Sequence, residues 1–141
     1  MEAALIDSTS VARTASSKLG YRAGIALSAL SVVFLAFDAV IKLIVIAPVV
    51  QSFAQLGYPV VLARGLGLLE LVCVVVYLVP RTAVLGAIVL TGFLGGAIAT
   101  HLRVGDPLFS HTLFPIYVAL LIWGGLYLRD AALRALLSRR S

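Results

Sequence analysis

Residues 66–101 read LGLLELVCVVVYLVPRTAVLGAIVLTGFLGGAIATH, and between Leu66 and His101 only Glu70 and Arg81 carry a charge. The triplet Pro80-Arg81-Thr82 divides the stretch into two apolar runs, about Val60 to Val79 and about Ala83 to His101. Each approaches the ~20 residues that carry a helix across roughly 30 Å of hydrocarbon. The runs are continuous, whereas a barrel strand of about 10 residues would alternate polar and apolar positions, so both read as membrane helices joined by a short turn.

Two further runs flank this pair, one from about Tyr21 to Val50 and one from Leu113 to Leu128. Of the 141 residues, 62% are hydrophobic and 12% are charged, with a mean hydropathy of +1.11, whereas a soluble domain has about a quarter of its residues charged. The expected fold is therefore all-α, an integral membrane four-helix bundle in one compact unit. Its expected organisation is a polar cytoplasmic segment (1–20), a four-helix domain (21–128) and a basic cytoplasmic tail (129–141). The first apolar run exceeds the h-region of a cleaved signal peptide, so it reads as a retained anchor. No repeat, linker or low-complexity tract divides the chain.

The cations set the expected orientation. Arg13, Lys18 and Arg22 precede the first span, Arg81 lies between the second and third, and Arg129, Arg134, Arg139 and Arg140 follow the fourth. Only Arg103 lies clearly in a loop on the other side. The positive-inside rule then puts both termini and the Arg81 turn in the cytoplasm. A net charge of +5 suits contact with anionic head groups and calls for no nucleic acid.

Ionisable groups within the spans carry more information, because a charge in hydrocarbon costs at least about 2.5–3.5 kcal/mol. Asp38 and Lys42 stand i, i+4 on one face of the first span. Glu70 shares a stripe of the second with Gly67, Val74 and Tyr77, while Arg64 points about 120° away at 100° per residue and can snorkel to the interface. All four fall in the outer half, as do His101, Arg103 and His111 of the loop ATHLRVGDPLFSHTLFP (99–115) and Gln51 and Gln55 of the first outer loop. Their convergence describes an outward-facing ligand or proton site lidded by that loop. The same charges can equally form a structural network that only fixes helix register, and both histidines suit ordinary interfacial positions as well as titration or ligation. Within the loop, Gly105-Asp106-Pro107 signals a turn, Ser110 or Thr112 is placed to cap the fourth helix, and Pro115 fits its first turn.

Gly92 and Gly96 form G-x-x-x-G, and Gly95 with Ala99 widens this small surface, a pattern that lets membrane helices pack closely. Trp123, Tyr117 and Tyr127 read as packing and interface aromatics. GLGLLE at 65–70 has no preceding strand and is no nucleotide fingerprint. Cys73, the single cysteine, excludes an intrachain disulfide relay. No catalytic triad, zinc motif or P-loop is present, so no metal site is expected.

Three stretches together, FDAVIKL (37–43), the run from Leu66 to Pro115 and WGGLYLRD (123–130), resemble the DoxX-like family of small four-helix bacterial membrane proteins. The resemblance covers most of residues 25–130, with its specific parts at Asp38, Lys42, Glu70, Pro80-Arg81-Thr82 and the segment from Thr100 to His111. It implies a bacterial cytoplasmic (inner) membrane location and a loose association with quinone-linked redox systems; fold follows from it more firmly than chemistry. Two functions are expected. One is a subunit binding quinone or another small amphipathic molecule, with Asp38 and Glu70 as proton acceptors, Lys42 and Arg64 as charge partners, and His101 or His111 as a hydrogen-bond partner. The other is a non-enzymatic accessory protein whose intramembrane charges grip partner helices, either of redox subunits or of a second copy.

Overall fold

The computed structural model describes the backbone of residues 2–138 and the side chains of residues 17–138. Arg139 and Arg140 of the expected basic tail lie outside the described residues, as does the side chain of Arg13. The elements are α1 (Glu2–Ile44), α2 (Ala47–Gln55), α3 (Leu62–Leu78), α4 (Ala83–Val104), a π-helical turn (Leu108–Thr112), α5 (Phe114–Arg129) and α6 (Ala131–Ser138), with no strand among the described residues. The four long helices form a ring in which α1 touches α3 and α5, and α4 touches the same two.

Three stretches are long and apolar enough to cross a membrane: Ser17–Ile44, Ala83–Val104 and Leu108–Arg129. The last joins the π turn and α5 into one path. Helix α3 has 17 residues, the short limit of about 17 for a span. The side chains confirm an inverted solvent preference, for Leu30, Val33, Phe37, Leu68, Val72, Leu85, Ile88 and Leu120 all point outward. Such a continuous apolar exterior suits lipid rather than water.

The first apolar run does not continue unbroken to Val50 as its composition suggests. Pro48 has no N–H, and its ring would collide with the carbonyl of Ile44 one turn earlier. The helix accordingly stops at Ile44, Val45 takes a left-handed conformation (φ 60°), and Pro48 enters the first turn of α2. A β-branched residue rarely adopts that conformation. Val49 and Phe53 of α2 then pack on Ala63 of α3, in a small core separate from the main one around Leu35, Val74, Tyr77, Leu90 and Ile122.

Small residues decide how closely the helices approach, though not at the expected positions. Ideal Cβ atoms at Gly92, Gly95 and Gly96 would meet nothing within 4 Å, because the buried stripe of α4 is Ala83, Gly86, Ala87, Leu90 and Leu94. The close contacts lie elsewhere. A Cβ at Gly86 would sit 2.3 Å from the backbone of Tyr77, one at Gly67 would sit 2.8 Å from the carbonyl oxygen of Ala39, and one at Gly125 would sit 2.5 Å from Oγ of Ser28. Gly86 thus fixes α3 against α4, Gly67 fixes α1 against α3, and Gly125 fixes α1 against α5.

Replacing Gly86 by Ala should force α3 and α4 apart and cost about 1–3 kcal/mol, the range for overpacking. Gly92→Ala should cost nothing and gain helix propensity. Thermal unfolding of the two purified variants in detergent distinguishes these outcomes.

Candidate functional site

The buried stripe of α3 runs Ala63, Gly67, Glu70, Cys73, Val74 and Tyr77, which carries a carboxylate into the bundle with its apolar neighbours. Gly67 lies one turn before Glu70, so the backbone of α1 approaches at the level where Lys42 can reach inward. A Cβ at Gly67 would lie 2.9 Å from Cβ of Lys42. From there Nζ of Lys42 donates to Oε2 of Glu70 at 2.8 Å and to Oδ2 of Asp38 at 2.5 Å. The ammonium also lies 5.4 Å from the ring centroid of Phe93 on α4, within reach of a cation–π attraction.

Glu70 is completely buried, whereas the side chains of Lys42 and Asp38 keep 17% and 32% of their exposure. The cluster is therefore closed at Glu70 and open at Asp38. Two carboxylates share one ammonium, and the second oxygen of Glu70, Oε1, is buried with no partner. A buried acceptor without a donor is costly. An ammonium has three N–H groups, and Lys42 uses two on the carboxylates, so the cluster keeps one spare N–H as well as the free Oε1. A spare donor and a spare acceptor in one cluster can hold a hydroxyl group or a proton.

The remaining sequence-predicted residues do not join this cluster. Arg64 is exposed and makes no ion pair or hydrogen bond among the described residues. His101, Arg103 and His111 form a separate layer at the same end of the bundle. His101 Nδ1 stands 2.6 Å from Oδ2 of Asp106, and the two imidazole rings meet edge to face at 6.0 Å. Ser110 Oγ lies 2.8 Å from Nδ1 of His111. Arg103 donates to the carbonyl of Leu56 and covers the ring of Tyr58, while the Tyr58 hydroxyl donates to Thr100. This layer fastens the α2–α3 connection to the end of α4.

The loop turns as its residues demand. Gly105 caps α4 in the left-handed conformation, and Pro115 sits in the first turn of α5. Neither Ser110 nor Thr112 caps α5, whose N-cap is Leu113 with no side-chain bond. A π-helical turn carries the chain directly into α5, so Thr112 is buried and donates back to the carbonyl of Asp106. Phe93 and Asp106 belong to these constellations although spacing alone gave no reason to select either. Among the described residues no group of three or more His, Cys, Asp or Glu side chains could hold a metal ion.

A model of the DoxX-like family matches residues 26–125, from within α1 to within α5. The chain belongs to the DoxX-like family. No curated protein and no solved structure matches it. The matched region of this DoxX-like chain contains Asp38, Lys42, Glu70 and Phe93, as well as the layer from Tyr58 to His111.

Removing the ammonium leaves two unneutralised carboxylates, one of them fully buried. Lys42→Met should therefore destabilise the protein by about 3–5 kcal/mol, as when one partner of a buried pair is lost. Adding Glu70→Gln to that variant should recover part of the loss, because it removes the buried charge. Denaturant titration of the single and double variants in detergent measures this coupling.

Proposed function

We propose that this DoxX-like protein is a small membrane subunit that binds an amphipathic molecule through a hydroxyl or carbonyl group at the Asp38–Lys42–Glu70 cluster, as part of a membrane redox system. The observation that carries the reading is the buried, unpartnered Oε1 of Glu70, whose other oxygen accepts from Lys42. A quinol hydroxyl fits Oε1 as donor, and a quinone carbonyl fits the ammonium as acceptor. Phe93 supplies a flat apolar wall near the same atoms. When bound, a quinone would supply the redox chemistry; the protein's part is to orient it, exclude water at Glu70 and hold or release a proton at Oε1.

The reading places both termini and the Arg81 turn in the cytoplasm, with the His101–His111 layer on the outer face of a bacterial inner membrane and α3 completing four crossings. The cation distribution of the sequence supports this orientation. Arg64 and the histidine layer then act at the rim of the site, not within its hydrogen-bonded centre. A second reading, an accessory protein that grips partner helices, draws support from the uncovered Gly92, Gly95 and Gly96 face of α4. Redox subunits or another copy of the chain would seat there.

Binding of a short-chain benzoquinol to the purified protein should weaken about tenfold or more in Glu70→Gln, as expected for losing a charge-assisted hydrogen bond. Asp38→Asn should have a smaller effect. Equal binding by wild type and a folded Glu70→Gln protein rules the site out, whereas copurification of a partner membrane protein without any quinol affinity favours the accessory role. Orientation is read separately, in a Cys73→Ala background. Phe109→Cys should react with an impermeant thiol reagent on intact cells, and Arg81→Cys only after the membrane is opened.

A further inference from the structure

The opposite end of the bundle holds a second feature, unconnected with the acidic cluster. A groove of about 280 Å³ lies between α1 and α3. Its apolar walls are Ile25, Ala29, Val32 and Val33 on α1 and Leu78 on α3, and Arg129, from the end of α5, lines it beside Tyr77.

The buried polar groups described in this region are satisfied, with one exception. The Tyr77 hydroxyl donates to the carbonyl of Ile122 and accepts from Ser28. The last carbonyls of α5, at Tyr127 and Leu128, receive Arg134. Asp130 Oδ1 accepts the N–H groups of Ala132 and Leu133 and so caps α6. Arg129 is that exception: its Nε is buried without a partner, and its guanidinium faces the Tyr77 ring at 5.1 Å. It is not needed to cap α5, because Arg134 already does so. Arginine stays charged at every physiological pH, and its planar fork matches phosphate oxygens.

The surroundings are one-sided in charge. Lys18 and Arg22 lie on the turns of α1 that precede Ile25, and Arg81 lies in the α3–α4 turn, while Asp130 is the one acid at this end among the described side chains. An apolar groove that opens on the lipid-facing exterior and ends at an unpaired arginine among further cations matches one class of molecule. We propose that the groove seats an acyl chain of an anionic phospholipid whose phosphate is held by Arg129. The site does not depend on the reading of the acidic cluster, only on the protein's lying in a membrane.

The test uses the full chain in mild detergent, with lipid retention followed by native mass spectrometry. The probes are dioleoylphosphatidylglycerol, dioleoylphosphatidylcholine and inorganic phosphate. One phosphatidylglycerol should remain on each chain, in several-fold preference to phosphatidylcholine, and phosphate alone should not compete. Arg129→Gln should weaken retention about tenfold, the loss expected for a charged hydrogen bond, and Arg129→Lys should restore part of it. Ala29→Trp, at an exposed groove position, fills the acyl seat while leaving Arg129 and the core intact, and it should abolish retention. This variant decides the matter if Arg129→Gln fails to fold. Wild-type retention in folded Arg129→Gln or Ala29→Trp, equal retention of the two lipids, or competition by phosphate alone would each overturn the proposal.

Discussion

Hydrocarbon offers no water to a carboxylate, so the charge of Glu70 has to be answered from within the bundle. Gly67 makes that possible. Without a side chain there, α1 comes close enough for Lys42 to reach Glu70 at 2.8 Å; with one, the helices would separate where the pair most needs contact. The ion pair and the glycine are thus one device, and it also fixes the register of α1 on α3. The device leaves a remainder, since one ammonium serves two carboxylates and Oε1 stays free.

The two ends of the bundle solve different problems. At the end that carries the α2–α3 connection and the π turn, polar groups bind one another in a dense layer of His101, Asp106, His111, Arg103, Tyr58 and Thr100. At the other end the contacts are closer and drier, with Gly86 against Tyr77 and Gly24 against the backbone of Gly125 and Arg129. Tyr77 belongs to both descriptions, for it is fully buried yet hydrogen-bonded to Ser28 and Ile122. It spends its hydroxyl inside the ring of helices, and the arginine beside it is left to face outward.

Much of this was legible in the residues. Continuous apolar runs identified the helices, and the stripe of Gly67, Glu70, Val74 and Tyr77 proved to be the buried face of α3. The i, i+4 spacing of Asp38 and Lys42 foretold their contact. What periodicity could not supply was the partner across the ring, because nothing in the spacing pairs position 42 with position 70 or brings Phe93 over the ammonium. The G-x-x-x-G of α4 meets no helix of its own chain for a related reason. A small-residue motif marks where helices can approach, while the choice of face depends on the neighbouring stripe, and Leu90 and Leu94 turn the opposite side inward. The interruption at Val45 was signalled by Pro48, but the apolar composition on both sides concealed it.

Both ends of the Lys42–Glu70 pair belong to the first two long helices, α1 and α3. In the order of synthesis these emerge before α4 and α5. The fully buried carboxylate therefore has its counter-ion inside the first hairpin of long helices and needs none from the second. What α4 and α5 close over is then an ion pair rather than a bare carboxylate.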